Sequence, residues 1–102
     1  IPVKKALKKL GKDIREARIR RRIPVALMAE RVGISRVTLK SVEDGRPTVS
    51  MGIYATALYV LGMLDRLKDI ADIAFDFVGQ ALSSEKLPKR IIIKRNKICP
   101  KL

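Results

Sequence analysis

Histidine is absent from these 102 residues, and with it go the commonest general base and the commonest metal ligand. A single cysteine, Cys99, excludes an intramolecular disulfide and a thiolate metal cage, and a lone free thiol suits a reducing cytoplasm. Trp is missing and aromatics make up only 4%, so a core has to be built from Leu, Ile, Val and Ala. The longest apolar stretch, Met51 to Leu64, falls short of the ~20 residues that cross a bilayer, and it lies mid-chain, where no signal peptide sits. No Gly-rich phosphate loop and no nucleophile–base pair can be assembled, so neither catalysis nor a cofactor, metal or small-molecule substrate is expected. Zinc fingers, disulfide scaffolds and most hydrolytic enzymes are thereby set aside.

What is scarce in acid is rich in base: 23 Lys and Arg stand against 10 Asp and Glu, a net +13. The excess is uneven. Residues 1–46 carry fourteen basic and five acidic side chains (+9), residues 47–85 two and five (−3), and residues 86–102 seven and none (+7). Such a field favours a polyanionic partner, nucleic acid or an anionic membrane, although charge alone also serves solubility. A hydrophobic fraction of 47% and this length suit one modest core, one domain with or without tails. An N-terminal Ile1 in place of Met leads us to expect a few native residues ahead of it.

Val3 to about Arg22 reads as a helix whose Leu7, Leu10, Ile14 and Ala17 share one face, with Lys and Arg on the other. Pro24 suits the first turn of a second helix, whose Leu27, Met28, Ala29 and Val32 face inward and which stops at Gly33. Ser35 can cap a third helix running to about Asp44, with Leu39 and Val42 inward, Arg36, Lys40 and Ser41 outward, and Gly45 at its end. Ser50 caps a fourth through Leu61, and Gly62 makes a break. From Asp65 to about Leu82 the spacing of Leu67, Ile70, Ile73, Ala74, Phe77 and Val78 predicts a fifth helix, its apolar stripe placed in the core. Residues 87–95 read as a short strand flanked by charge, or as a disordered basic tail. The expected architecture is all-α, five helices over residues 1–82 followed by a basic arm over 83–102.

Val25 to Gly45 carries the functional signal. A short helix, a small residue at Ala29, a glycine four positions on and a capped second helix form a helix-turn-helix pattern. Ala29 has to be small where the helices cross, Gly33 makes the turn, and Ile34, Leu39 and Val42 fill the space between them. A helix presented this way can enter a major groove about 12 Å wide, first turn nearest the base edges. Leu10-Gly11 through Leu61-Gly62 resembles the phage-repressor (Xre/Cro/C1-type) helix-turn-helix family, most specifically in Gly33-Ile34-Ser35-Arg36-Val37-Thr38-Leu39 and Val42-Glu43-Asp44-Gly45. Pro47 to Gly52, Leu61 to Leu67 and Leu87 to Arg90 are further similar to HipB-like regulators, extending the likeness over roughly residues 10–95. The resemblance implies a lambda-repressor-like fold, a homodimer, binding of double-stranded operator DNA at its own promoter, and association with a HipA-like kinase toxin.

Carried onto this sequence, the family's DNA contacts fall on Ser35, Arg36, Val37, Thr38, Lys40, Ser41 and Arg46. Arg36 would grip a guanine, Val37 touch a thymine methyl and Ser41 reach a base edge, while Thr38, Lys40 and Arg46 would hold phosphates. Val25 departs from the family, which often has a backbone-contacting Gln there; Arg20, Arg21 or Arg22 would have to substitute. Plainer readings stand beside these: Arg36 and Lys40 as solvated charges, Val37 as a packing residue, Lys4, Lys5, Lys8, Lys9 and Lys12 as a solvated face or a phosphate rail. Glu43 reads as structural, holding an arginine or an amide, and Cys99 as a spectator in a tail that is either a contacting arm or disorder. The alternatives to an antitoxin repressor are a stand-alone regulator of the same family and an interaction module that no longer binds DNA. A membrane-surface peptide is remote, because the basic helix lacks Trp or Phe.

Overall fold

Pro2 starts the first helix, where its missing N–H would have had no partner, and α1 runs over Pro2–Arg20. The computed structural model describes residues 1–82 together with 87, 90 and 91. After α1 come α2 (Val25–Val32), α3 (Arg36–Glu43), α4 (Met51–Val60) and α5 (Leu64–Lys68), then a 3₁₀ turn at Ile73–Phe75 and α6 (Phe77–Leu82). The regular elements among the described residues are all helical, with no strand among them and no helix long and apolar enough to cross a membrane. The chain clusters into two compact units, Ile1–Ile70 and a second beginning at Ala71.

The first four helices follow from local chemistry. Pro24, extended at ψ 154°, is the N-cap of α2, one place ahead of the expected first turn. Gly33 takes φ +82°, which lets its N–H reach Glu30 O (3.1 Å) and the Ile34 N–H reach Ala29 O (2.9 Å), so the last carbonyls of α2 are satisfied. Ser35 accepts from the Thr38 N–H at 3.1 Å and opens α3; Ser50 does the same for α4 through the Ile53 N–H at 3.3 Å. α3 closes on Gly45 with the same pair of bonds, Gly45 N–H to Val42 O and Arg46 N–H to Ser41 O, both 3.0 Å. A core of Ile14, Ala17, Ile23, Met28, Ala29, Leu39, Val42, Tyr54, Ala57 and Leu61 joins α1 to α4, aliphatic apart from one tyrosine.

The fifth helix expected over Asp65 to Leu82 does not form as one element. It is divided into α5, the 3₁₀ turn and α6, and the stripe assigned to the core is exposed: Ile70 is 68%, Ile73 55% and Phe77 74% accessible. The acids that lie between the stripe positions open the two later turns. Asp72 accepts from the Ala74 N–H and Asp76 from the Gly79 N–H, both at 2.8 Å, so each carboxylate begins a new turn rather than continuing the previous helix. Of the two stripe residues in the first unit, Leu67 is partly buried and Ile70 is exposed. The strand or tail expected over 87–95 lies outside the described residues, except that Leu87, Arg90 and Ile91 are exposed, and Cys99 lies outside them too.

α1 and α3 meet at two glycines. A Cβ on Gly11 would lie 2.6 Å from both the Gly45 nitrogen and the Val42 carbonyl oxygen, so neither backbone has room to give. An alanine raises helix propensity by about 1 kcal/mol on an open helix face, but here Gly11→Ala forces the helices apart. We expect it to lower stability by about 1–3 kcal/mol in urea titration; a more stable variant would show that the approach is not tight.

Candidate nucleic-acid interface

The helix that carries the predicted contacts is held by a buried ion pair that sequence reading only half anticipated. Glu43, the last residue of α3, accepts from Arg18 Nε at 2.7 Å and from a second guanidinium nitrogen at 3.2 Å, while the third nitrogen donates to Ile23 O at 2.9 Å. Arg18 is only 7% exposed. Its guanidinium therefore ties three elements: α1, on which it sits, the turn before α2, and the end of α3. The expected structural role of Glu43 has a partner, and that partner is an arginine the sequence reading leaves within the basic face of α1. The signal was present: Arg18 follows Ile14 by four and adjoins Ala17, which places it on the buried face.

With its last turn anchored, α3 offers its first turns outward. Arg36, Val37 and Lys40 are exposed, and Val37 is 77% accessible, so it does not pack within the described residues. Lys40 lies 3.6 Å from Asp44 in a solvent-exposed pair, and Arg36 has no ion pair among the described residues. Ser35, although exposed, has its hydroxyl committed to the α3 cap and 3.0 Å from the Thr38 hydroxyl, which is itself half-buried. Ser41 is half-buried with its hydroxyl turned back to Val37 O at 3.3 Å. The outward chemistry of α3 is thus concentrated on Arg36, Val37 and Lys40, with Ser35, Thr38 and Ser41 holding local bonds that a ligand would have to share.

Arg46 projects from the loop after α3, and Tyr54 steadies it from α4, the phenol donating to Arg46 O at 2.8 Å. Burial pushes the Tyr54 phenol above its ordinary value. Beside α3 runs an open cleft of about 460 Å³, bordered by Arg15, Val25, Arg36, Val37 and Lys40. Val25 thus stands at the edge of this surface with no polar side-chain atom to offer. Its proposed substitutes Arg20, Arg21 and Arg22 are all exposed, and Arg21 donates to Ala17 O at 2.9 Å, closing the end of α1. Arg22 holds φ +52°, in the left-handed region unusual for a non-glycine residue, at the turn into Ile23. Among the described residues no group of His, Cys, Asp or Glu is arranged to hold a metal ion. The surface combines the cations Arg15, Arg36 and Lys40 with the apolar Val25 and Val37; of the two acids on the cleft, Glu43 is paired with Arg18 and Asp44 with Lys40. Comparison with known protein families, with curated proteins and with solved structures finds no match to this chain.

Two outcomes check this construction. Arg18→Met or Glu43→Leu alone leaves the other charge buried and is expected to cost about 3–5 kcal/mol in denaturant titration, while the double variant recovers much of that stability; equal, small effects in all three would refute the buried pair. Tyr54→Phe removes a hydrogen bond worth about 0.5–1.5 kcal/mol at neutral pH. Because the folded phenol keeps its proton where the unfolded one releases it, wild-type stability falls as pH rises from about 10 through the folded value. The phenylalanine variant should lose stability less steeply over that range, and parallel curves would contradict the assignment.

Proposed function

We propose that the chain is a sequence-specific, dimeric DNA-binding repressor acting in the cytoplasm. The observation that carries this reading is the exposed face of α3, with Arg36, Val37 and Lys40 pointing outward from a helix locked at its far end by the Arg18–Glu43 pair. A recognition helix has to be rigid to read base edges, because a loose helix spends binding free energy on ordering itself. In a dimer two copies of α3 would enter successive major grooves about 34–36 Å apart. Arg36 would supply discrimination, with Lys40 and Arg46 neutralising phosphates, and the bound dimer would obstruct polymerase by occupying the promoter. No catalysis and no cofactor enter this mechanism.

The HipB-like reading goes one step further, to an antitoxin that represses its own operon and associates with a HipA-like kinase toxin. Its support is the likeness of Pro47 to Gly52, Leu61 to Leu67 and Leu87 to Arg90, and a kinase-like neighbouring reading frame is the observation that separates it from a stand-alone regulator.

Fluorescence anisotropy on the duplex upstream of the chain's own gene, against a scrambled duplex at about 50 and 200 mM salt, tests the repressor. A preference for the native duplex that survives the higher salt is the expected result; equal binding that collapses with salt would leave only charge at work. Arg36→Ala should lose about 1–3 kcal/mol at one base position and relax specificity there. Indifference to that substitution would favour an interaction module instead.

A further inference from the structure

The tight approach of α1 to α3 creates a second cleft, at the opposite end of α3 from Arg36. Gly45 is buried against the backbone of Leu7 and Lys8, and that approach brings Arg46 beside Lys4 and Lys8 around an open cleft of about 460 Å³. Lys4 and Lys8 are one helical turn apart and so stand on the same face of α1. Neither makes an ion pair among the described residues, unlike Lys9, which is engaged with Asp13 at 2.6 Å. The single acid bordering the cleft, Asp44, is drawn toward Lys40 at 3.6 Å. Arg46 is positioned from both sides, its N–H bonded to Ser41 O and its carbonyl to the Tyr54 phenol. Three cations thus surround one concave space, two on a rigid helix and one on a loop held by hydrogen bonds.

We propose that Lys4, Lys8 and Arg46 form a phosphodiester-binding cleft that grips the DNA backbone beyond the bases read by α3. The proposal rests on the DNA-binding reading above and extends it to α1. The eight residues of α3 rise about 12 Å, comparable with the width of a major groove, so a duplex read by the first turn of α3 carries its backbone within reach of the far end. Phosphates held there add affinity without sequence preference and fix the register of α3 on the duplex. The remaining lysines of α1, Lys5 and Lys12, are exposed and border neither cleft, which makes them a charge-matched control.

The experiment compares wild type, Lys4→Gln/Lys8→Gln and Lys5→Gln/Lys12→Gln by anisotropy on the native upstream and scrambled duplexes across about 50–200 mM salt. Removing one cation that neutralises a phosphate flattens the plot of log K against log salt by about 0.9, so the cleft variant should be shallower on both duplexes, by about 1.8 for each bound subunit and about 3.6 for a bound dimer. Its native-to-scrambled ratio should stay unchanged, and the control variant should keep the wild-type slope. An unchanged slope in the cleft variant, or an equal flattening in the control, overturns the cleft while leaving the repressor reading in place. Wild type that binds both duplexes equally overturns the repressor reading, and a flattening confined to the cleft variant then still supports the phosphate site. Wild type that binds neither duplex overturns both.

Discussion

The contact between α1 and α3 is the constraint from which the useful surface follows. It is made at two places of opposite character. At one, Gly11 and Gly45 let two backbones approach until a single added methyl would collide with main chain. At the other, Arg18 and Glu43 bury complementary charges, with the remaining guanidinium nitrogen satisfied by Ile23 O. Burying such a pair is costly, and replacement by apolar residues is often no less stable. Its consequence here is orientation: a bidentate pair fixes direction as well as distance, and the glycine contact fixes separation. Together they set both the direction and the separation of α3, on which Arg36, Val37 and Lys40 are exposed.

Around that contact the four long helices are set by short-range signals. Serine caps at Ser35 and Ser50 begin α3 and α4, and left-handed glycines at Gly33 and Gly45 end α2 and α3 with the same hydrogen-bond closure. Each signal acts within five or six residues, so it works before tertiary packing is complete. The stretch from Asp65 onward has the opposite balance. Its aliphatic spacing is helical, but Asp72 and Asp76 offer the backbone alternative partners, and the apolar side chains on the stripe are too exposed in their own unit to outweigh those caps.

The electrostatics divide the basic residues by role. Arg18 is held inside the molecule, Arg21 on the end of its own helix, and Lys9 on an exposed acid four residues away, while Lys40 stands outward in a looser exposed pair with Asp44. Beside α3 stand Arg15, Arg36 and Lys40 on one cleft, with the exposed Val25 and Val37, and Lys4, Lys8 and Arg46 on the other. A charge of +13 spread evenly would favour any polyanion. Here the cations beside α3 are instead gathered along two clefts.

Much of this was legible in the sequence. The caps, glycines and 3.6-residue spacing determined α1 to α4, the helix-turn-helix block, and the outward placing of Arg36 and Lys40, because each depends on neighbours a few positions away. Tertiary structure alone decided the rest. Arg18 is 25 residues from Glu43, and only folding could turn one member of a basic face into a buried tie. The Gly11–Gly45 approach, and with it the meeting of Lys4, Lys8 and Arg46, joins segments that no local period relates. The stripe from Ile70 to Phe77 fails for the complementary reason. Periodicity reports which side chains would share a face if a helix formed, whereas burial depends on whether another surface arrives to cover it.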